Sequence, residues 1–480
     1  MSETRQIPLV VDLDGTLLNS DLLLESLWAL LRQNFFYVFL IPFWLFQGKQ
    51  ILKDEIASRV ELDVALLPYN DKVIHYIKEQ AGQRRLVLAT ATNRRLAEKV
   101  FYFLGVFDDL LASDRKINLS GETKAAAIES LLDTKDFIYA GNSADDLIVW
   151  ESCSKAIVVN ASQRVLSNLR TKKVKIVQIW EKQRIGVRTL VKALRLHQWT
   201  KNSLIFLPLL LSQNFYVVSY LTNAAIAFVA FGLCASSVYL LNDLLDVQDD
   251  RVHRSKKFRP IACGSMSLML ATILFPALLC CSIGLAYYFL PVNFFYVLLT
   301  YYLATLSYSF YLKRKLLVDV QVLAGLFTLR IIAGGAANSI DLSFWILAFS
   351  VFLFFSLALV KRCTELLLLK SEGKSHTKGR GYDVKDLEVL TALGVAAGYI
   401  SVLVVALFIN SNEVIERYSE HEFLWLLMPL MLYWISRIWL VTHRGEMVDD
   451  PIVFAIKDKV SIFTALLMAS VIILSMGLVI

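Results

Sequence analysis

Apolar and polar positions follow two different patterns along the chain. From residue 7 to about residue 180, short apolar runs alternate with charged and polar stretches, which is typical of a soluble domain of strands and helices. From about residue 187 onward, apolar stretches approach the roughly 20 residues that a helix needs to cross a bilayer. The pattern predicts a soluble domain over 1–163, a linker over 164–188 and a membrane domain over 189–480.

The membrane domain is predicted to be an all-α bundle of about nine membrane-spanning helices, judged by the length of its apolar segments. Lys and Arg residues concentrate after the second, fourth and sixth segments, and loops rich in these residues stay on the cytoplasmic side. With the soluble domain in the cytoplasm and an odd number of segments, the C-terminus at Ile480 is expected outside. The predicted segments are 189–212, 221–241, 266–290, 292–311, 317–338, 342–366, 387–409, 422–441 and 460–480.

The composition agrees with a membrane protein and disfavours a wholly soluble enzyme. Apolar residues make up 56% of the chain and charged residues 19%, whereas soluble domains average about 45–50% and about 25%. The net charge of +7 is assigned to the linker and the cytoplasmic loops, where it favours contact with anionic lipid rather than nucleic acid. The six cysteines form no CxxC pair, so neither a zinc site nor a disulfide framework is expected. No signal peptide is expected, and we place the chain in a bacterial-type inner membrane.

Two carboxylates follow the first predicted strand. In the run VVDLDGTL, Asp12 and Asp14 stand at positions i and i+2 where the strand ends. Alternate residues of an extended chain point to the same side, so both carboxylates can reach one ligand. Hydrolysis of a phosphate monoester through a covalent intermediate needs such a pair, one carboxylate as the nucleophile and one to move protons. Further polar residues lie at or after later predicted strands, in the order Thr90, Lys124, Asn142 and Asp146.

This ordered set resembles the DxDGT motif and the later motifs of the haloacid dehalogenase (HAD) superfamily. The resemblance implies an α/β Rossmannoid fold with a helical cap and a magnesium-dependent phosphohydrolase activity. Asn142 stands where the superfamily usually has Asp; its amide oxygen can still bind Mg²⁺ but brings no negative charge. The implied roles are nucleophile for Asp12, general acid and base for Asp14, phosphate ligands for Thr90 and Lys124, and magnesium ligands for Asp12, Asp14, Asn142 and Asp146.

An insert between the first two strands, about residues 18–80, lies where an early HAD cap would lie. It contains the apolar run 35–46 (FFYVFLIPFWLF). A run of about 12 residues is too short to span a bilayer. Two interpretations stay open: a buried helix, or a cap segment that dips into the membrane and lets the domain take a lipid-linked substrate.

A second acidic motif, NDLLDVQDD, ends the second membrane segment. Its Asp243, Asp246 and Asp250 are spaced i, i+3 and i+7, so on a helix they form one stripe. One Asp at the bilayer centre costs about 2.5–3.5 kcal/mol, so three of them must face water or cations. Oxygen-only ligands at this spacing suit Mg²⁺, which commonly bridges carboxylates to substrate phosphates. Phosphate oxygens left exposed could bind the basic residues that follow, Lys256 and Arg259.

The pattern NDxxDxxxD followed by KxxRP resembles the UbiA superfamily of intramembrane prenyltransferases, over most of residues 190–480. In that family the acidic motif binds Mg²⁺ and a diphosphate near the cytoplasmic face. The stretch RLHQWTKN from Arg195, and the run from Asp319 to Arg330 that should line the cavity, narrow the resemblance to the branch with decaprenyl-phosphate phosphoribosyltransferases. The resemblance implies catalysis by Asp243 and Asp246, Mg²⁺ binding by these two and Asp250, and substrate binding by Lys201, Asn242, Lys256, Arg259, Lys313, Arg330, Lys361, Arg362, Arg380 and Tyr382.

Three functions follow from these motifs. The favoured one is Mg²⁺-dependent transfer of a phosphoribosyl group from phosphoribosyl diphosphate to polyprenyl phosphate, after which the HAD domain removes the 5-phosphate. The alternative is prenyl transfer from a prenyl diphosphate to an aromatic or other small acceptor, with a vestigial or regulatory HAD domain. A scaffold or ion-binding transporter is disfavoured by the intact acidic motif. The expected partners are a polyprenyl lipid and a phosphorylated small molecule, with no nucleic acid; the sequence leaves the oligomeric state open.

Overall fold

The computed structural model describes residues 6–181, 186–212, 216–374, 380–411, 414, 418, 420–447 and 450–475. Part of the predicted linker, 182–185, and the predicted outward C-terminus beyond residue 475 lie outside the described residues.

Six parallel strands form one sheet in the order β3-β2-β1-β4-β5-β6. The central strand carries Leu9, Val10 and Val11, all buried, as expected for a strand that helices cover on both faces. Leu9 and Val11 join one apolar cluster and Val10 joins another, because alternate residues point to opposite faces. The strands are β1 (Gln6–Val11), β2 (Arg84–Asn93), β3 (Asp109–Ser113), β4 (Ile138–Gly141), β5 (Lys155–Val159) and β6 (Ile176–Trp180).

Helices cover this sheet, and the predicted α/β architecture of the N-terminal region is confirmed. The insert between β1 and β2 is helical, with short 3-10 helices at Phe35–Phe39 and Val64–Leu66. Apart from Gln163, the last helix and β6 lie within the segment 164–188 that was predicted as a linker. The helices are α1 (Leu22–Gln33), α2 (Ile41–Gln47), α3 (Lys49–Ala57), α4 (Asp71–Gln80), α5 (Arg94–Leu104), α6 (Glu122–Leu132), α7 (Leu147–Ser152) and α8 (Gln163–Thr171).

The rest of the described chain is helical. Between the helices lie 3-10 turns at Leu196–Phe206, Lys256–Phe258, Leu312–Arg314, Val384–Asp386 and His421–Leu426. The helices are α9 (Val187–Ala193), α10 (Leu207–Leu211), α11 (Val218–Leu245), α12 (Val247–Val252), α13 (Leu268–Phe289), α14 (Val292–Phe310), α15 (Val318–Asn338), α16 (Phe344–Ser371), α17 (Leu387–Ile409), α18 (Leu427–His443), α19 (Pro451–Lys457) and α20 (Lys459–Ser475).

Among the residues described, six helical stretches are long and apolar enough to cross a membrane. A seventh is possible if α19 and α20, which meet at a bend of 80°, make one span. This confirms a multi-pass membrane protein but not about nine spans. The six stretches are Val218–Leu245, Leu268–Phe289, Val318–Asn338, Phe344–Ser371, Val384–Ile409 and His421–His443.

Three of the nine predicted spans are missing from that set. The segment 460–480 is described only as far as Ser475, as α20 of the bent pair. The other two are missing for physical reasons. The segment 189–212 is broken into α9, a 3-10 helix and α10, and the break falls at Arg195, which has φ +51°. Its charged residues, including Lys201, leave too short an apolar run for one crossing. The segment 292–311 does form a single helix, α14, but tyrosines and hydroxyl side chains lower its hydropathy.

The chain divides into two compact units, and each is described by itself. The N-terminal unit comprises Met1–Arg195 and Tyr239–Ala277, so the acidic motif and the first residues of α13 belong with the sheet. The C-terminal unit comprises Leu196–Val238 and Leu278–Ile480. In this second unit the backbone of Gly334 packs on the carbonyl of Ile205, where an added Cβ would come within 2.1 Å of the carbonyl oxygen.

Candidate functional site

Asp12, Lys124 and Asp146 meet at the carboxyl ends of β1 and β4, where the strand order reverses and open parallel sheets bind ligands. The backbone N–H of Asp12 donates to the carbonyl of Ala140 at 2.9 Å, which joins the end of β1 to β4. Lys124 Nζ lies 2.8 Å from Asp12 Oδ1 and 3.4 Å from Asp146 Oδ1, and all three side chains are buried. The structure therefore brings together residues that lie far apart in the sequence.

Asp14 follows Asp12 by two residues, and its carboxylate accepts two hydrogen bonds. Its Oδ1 accepts the backbone N–H of Leu22, the first residue of α1, at 2.8 Å, and its Oδ2 accepts the hydroxyl of Thr92. Thr90, predicted as a phosphate ligand, is buried, and its Oγ1 accepts the N–H of Thr92 at 3.0 Å. Thr92 was not among the predicted site residues, although it lies two positions after Thr90 on the same strand.

The four ionisable groups of this site have shifted pKa values. Burial raises the pKa of Asp12 to about 6 despite the opposing charge of Lys124. Burial and the charge of Asp21 raise the pKa of Asp14 to about 7. Burial favours neutral Lys124, but the charges of Asp12 and Asp146 prevail and raise its pKa. Burial likewise favours neutral Asp146, but the charge of Lys124 and the hydrogen bond from Tyr139 lower its pKa. Near neutral pH the site thus combines an ionised Asp12 with an Asp14 that can give or take a proton.

Asn142 and Asp146 form the other side of the site. Asp146 Oδ2 accepts the backbone N–H groups of Asn142 and Ser143, both at 3.0 Å, and its Oδ1 accepts the hydroxyl of Tyr139 at 2.6 Å. The amide of Asn142 lies so close to Gly15, which has φ +74°, that a Cβ there would come within 1.9 Å of Nδ2. A glycine at position 15 therefore allows both the positive φ of the turn and the close approach of the Asn142 side chain. Tyr139 was also absent from the prediction, because nothing in its sequence context distinguishes it from a core residue.

The acidic motif forms a second cluster within the N-terminal unit. Asn242 and Asp243 end α11, Asp246 lies at the junction with α12, and Asp250 lies within α12. Arg259 Nη1 is 3.0 Å from Asp243 Oδ1 and 2.6 Å from Asp250 Oδ2, so these two carboxylates face one positive charge. Lys256 is half-buried in the 3-10 helix before Arg259.

Two further arginines contact this acidic cluster. Arg195 pairs with Asp243. Arg32, near the C-terminal end of α1, pairs with Asp249 and lies 3.7 Å from Asp246. Neither arginine was a predicted site residue, and only long-range folding brings Arg32 here. Within the described ranges, no three Asp, Glu, His or Cys side chains converge as a preformed metal site.

In the C-terminal unit, Arg362 lies at the centre of a buried network. Its Nε donates to Asp319 Oδ2 at 2.6 Å, its Nη1 to Glu365 Oε2 at 2.7 Å, and its Nη2 to the hydroxyl of Tyr308 at 3.1 Å. Two other predicted site residues complete the network: the Tyr382 hydroxyl donates to Asp319, and Arg380 pairs with Glu365. Glu365 joins both arginines but was not predicted as a site residue.

Lys201 and Lys361 share one carboxylate. Their Nζ atoms lie 2.9 Å and 3.1 Å from Asp450 Oδ2. Burial alone would raise the pKa of Asp450, but the two ammonium charges hold that pKa well below its ordinary value. Asp450 was missed because it stands about 90 and 250 positions from its partners, in a polar loop before a proline.

Arg330 is enclosed by protein groups. It donates to Asn202 Oδ1 at 3.0 Å, to the carbonyl of Leu326 at 2.5 Å and to the hydroxyl of Tyr301 at 3.0 Å. Its guanidinium also lies 5.1 Å from the centre of the Phe327 ring, which Lys201 approaches at 5.8 Å. Lys313, the remaining predicted residue, is half-buried in the 3-10 helix at 312–314.

Comparison with known proteins identifies one family. The model of the UbiA prenyltransferase family matches residues 203–467. The chain is 37% identical over 478 residues to the uncharacterized protein y4nM of Sinorhizobium fredii, covering 98% of this chain and 92% of that protein. It is 32% identical over 289 residues to the nodulation protein NoeC of Azorhizobium caulinodans, covering 59% and 93%.

An enzyme and a solved structure also match. The decaprenyl-phosphate phosphoribosyltransferase of Mycolicibacterium smegmatis is 31% identical over 280 residues, covering 57% of this chain and 88% of that protein. A UbiA homolog from Archaeoglobus fulgidus, solved with GPP and Mg²⁺, aligns with a TM-score of 0.44 at 17% identity, covering 59% of this chain and 99% of that one.

Proposed function

The chain belongs to the UbiA prenyltransferase family, and from this premise we propose that its membrane domain transfers a phosphoribosyl group from phosphoribosyl diphosphate to polyprenyl phosphate. One observation carries the choice of substrates. Among the described residues, the three polar clusters around Arg362, Arg330 and Asp450 in the C-terminal unit contain more cations than carboxylates. The cations are Lys201, Arg330, Lys361, Arg362 and Arg380, and the carboxylates are Asp319, Glu365 and Asp450.

Excess positive charge in an apolar bundle needs anionic ligands, because an unpaired buried charge is costly. Phosphoribosyl diphosphate and polyprenyl phosphate bring more negative charge than a prenyl diphosphate with an aromatic acceptor. The similarity to decaprenyl-phosphate phosphoribosyltransferases supports the same choice. Lys201, Lys313, Arg330, Lys361, Arg362, Arg380 and Tyr382 are the residues proposed to bind substrate in this unit.

The reaction joins an oxygen of polyprenyl phosphate to the anomeric carbon of the ribose. The bond from that carbon to the diphosphate breaks, and diphosphate leaves with the electron pair. Lys256 and Arg259 are proposed to bind its oxygens, since their charges stabilise the charge that develops on the leaving group. Arg195 contacts the same carboxylate as Arg259, that of Asp243, and can also help to bind the leaving diphosphate.

The acidic motif fits a magnesium ion by the chemistry of its donors. Asp243, Asp246 and Asp250, with the amide of Asn242, offer only oxygen ligands, which Mg²⁺ prefers. Asp243 and Asp250 already face a common cation in Arg259. Bound Mg²⁺ would be held by these residues and would supply positive charge to the diphosphate.

For the N-terminal domain we propose a HAD-type phosphohydrolase that removes the 5-phosphate from the lipid-linked product. An oxygen of Asp12 attacks phosphorus and the sugar oxygen leaves with the proton of Asp14. Water, deprotonated by Asp14, then attacks the aspartyl phosphate and releases phosphate. The charge of Lys124 opposes protonation of Asp12, and Asp146 and Asn142 would complete the ligands of a magnesium ion. The raised pKa of Asp14 supports this division of roles.

The decisive experiment incubates membranes containing the full-length protein with Mg²⁺, polyprenyl phosphate and phosphoribosyl diphosphate labelled in the ribose. We expect the label in the lipid phase, first with and then without the 5-phosphate. Label that stays in the aqueous phase, together with consumption of prenyl diphosphate in the presence of an aromatic acceptor, would establish the alternative prenyl transfer instead.

A further inference from the structure

The cap of the N-terminal domain carries a folded apolar arm, residues 35–47, made of the 3-10 helix Phe35–Phe39 and α2. Most of its large side chains point outward: Phe36 is 74% exposed, Phe39 73% and Phe46 91%. Trp44 is buried and holds the arm on the domain, with the guanidinium of Arg59 5.0 Å from the centre of its ring. The exposure therefore belongs to an ordered surface and answers the question left open by the sequence: this run is not a buried helix.

The helix that leads into the arm contacts the first turns of α13, which belong to the same unit. Trp28 of α1 donates from Nε1 to Thr272 Oγ1 at 3.0 Å, and its ring meets the edge of Phe275 at 5.9 Å between centres. Thr272 and Phe275 lie in the first turns of α13, one of the membrane-crossing stretches. From Trp28 to the start of the arm is about seven residues, or about 10 Å along a helix. The arm thus begins close to the end of a helix that crosses a bilayer.

We propose that the apolar arm inserts into the interface of the bilayer that α13 crosses. Its length is too short for a crossing but suits an interfacial element buried about 5–10 Å deep. No charged residue occurs between Arg32 and Lys49, whereas the rim of a protein–protein interface is polar. The arm also satisfies backbone donors internally, as lipid contact requires: Leu40 N–H donates to Tyr37 and Trp44 N–H to Leu40.

The position of α1 gives the arm a second consequence, which rests on the proposed phosphohydrolase function. The first residue of α1, Leu22, donates to Asp14, and the helix ends where the arm begins. A helix of this length spans about 18 Å. The arm therefore holds the hydrolytic site within about one helix length of the lipid surface. Such a site suits a phosphate on a sugar attached to a membrane lipid.

Photo-cross-linking of the full-length protein in liposomes tests the insertion. p-Benzoylphenylalanine is placed at position 36, 39 or 46, and at position 102 as a matched control, since Tyr102 is an exposed aromatic residue of the same domain outside the arm. After irradiation, mass spectrometry identifies the adducts. We expect lipid adducts at the three arm positions and none at 102. Adducts only with a second copy of the protein, or no lipid adduct at any arm position, would overturn the proposal.

A second measurement tests access to substrate. In the variant Phe36→Ser/Phe39→Ser/Phe46→Ser, hydrolysis of lipid-linked phosphoribose should fall at least about fivefold, because the interfacial anchor is lost. Hydrolysis of the soluble monoester p-nitrophenyl phosphate should be unchanged, and Tyr102→Ser should affect neither substrate. Equal hydrolysis of the lipid-linked substrate by variant and wild type would refute the role in access. If the wild-type protein hydrolyses neither substrate, the phosphohydrolase proposal fails. The cross-linking experiment still tests separately whether the arm inserts into the bilayer.

Discussion

Arg251 and Glu25 form a buried, two-point ion pair although 226 positions separate them: Nη2 lies 2.6 Å from Oε1 and Nη1 lies 3.1 Å from Oε2. Glu25 also accepts the hydroxyl of Ser20 at 2.5 Å, and Arg251 Nε donates to the carbonyl of Ala262 at 3.0 Å. Helix α12, which contains the end of the acidic motif and Arg251, is thereby tied to α1 of the cap. This pair and the contacts of Arg32 with Asp246 and Asp249 place the cap beside the acidic motif.

Loss of one partner of this pair should destabilise the N-terminal unit. Removing one member of a buried ion pair typically costs about 3–5 kcal/mol, because the other charge remains buried without a partner. Glu25→Gln should therefore lower the melting temperature of the purified protein and speed its proteolysis by trypsin, both measured in detergent. Glu79→Gln removes an exposed pair with His75 and serves as the control, with an expected effect below about 0.5 kcal/mol. Equal melting temperatures for Glu25→Gln and the control would contradict this prediction.

The variant Asp12→Asn should separate the two proposed activities. An amide cannot attack phosphorus, so release of phosphate from a monoester should fall at least about a thousandfold. Labelling of lipid by phosphoribosyl diphosphate should stay at the wild-type level. Asp136→Asn, which changes an exposed carboxylate of the same domain, should leave both activities intact. Phosphate release by Asp12→Asn at the wild-type rate would exclude Asp12 as the nucleophile.

The raised pKa of Asp14 predicts how stability depends on pH. Its folded pKa of about 7 lies above its ordinary value of 3.8. Between these values the folded state holds a proton that the unfolded state releases, so this group weakens the fold as pH rises from about 4 to about 7. Asp14→Asn should remove that loss. The free energy of unfolding of the variant, measured by chemical unfolding in EDTA, should therefore rise relative to the wild type more at pH 8 than at pH 4. The same difference between variant and wild type at both pH values would show that the folded pKa is not raised.

Asp243→Asn should suppress transfer and its dependence on Mg²⁺. We expect a loss of at least about a hundredfold, the size seen when a group that stabilises developing charge is removed. Asp249→Asn is the matched control, since Asp249 pairs with Arg32 and is not a proposed magnesium ligand. Labelled lipid is measured across a magnesium titration. Wild-type turnover and an unchanged magnesium midpoint in Asp243→Asn would reject the metal assignment.

Much of the local structure could be predicted from the sequence. The run around Val10 predicts an apolar strand, and Asp12 and Asp14 follow it as expected. The long apolar segments predict membrane helices, and those without charges are found as helices. The prediction was wrong for the segment that contains Arg195 and Lys201. This segment breaks into short helices, because no single apolar stretch there is long enough.

The sequence by itself determined the elements and the chemistry that lies at their ends, because periodicity and motif spacing act over a few residues. Only the tertiary structure decided which partners those residues have. Thr92 and Tyr139 reach the hydrolytic site through the register of the sheet. Asp450 reaches its two lysines through helix packing, and Arg251 reaches Glu25 because α12 packs on the cap. The outward side chains of the apolar arm were likewise decided by packing, since the same run of residues suits a buried helix equally well. Such contacts depend on how distant elements pack, and no local pattern encodes that.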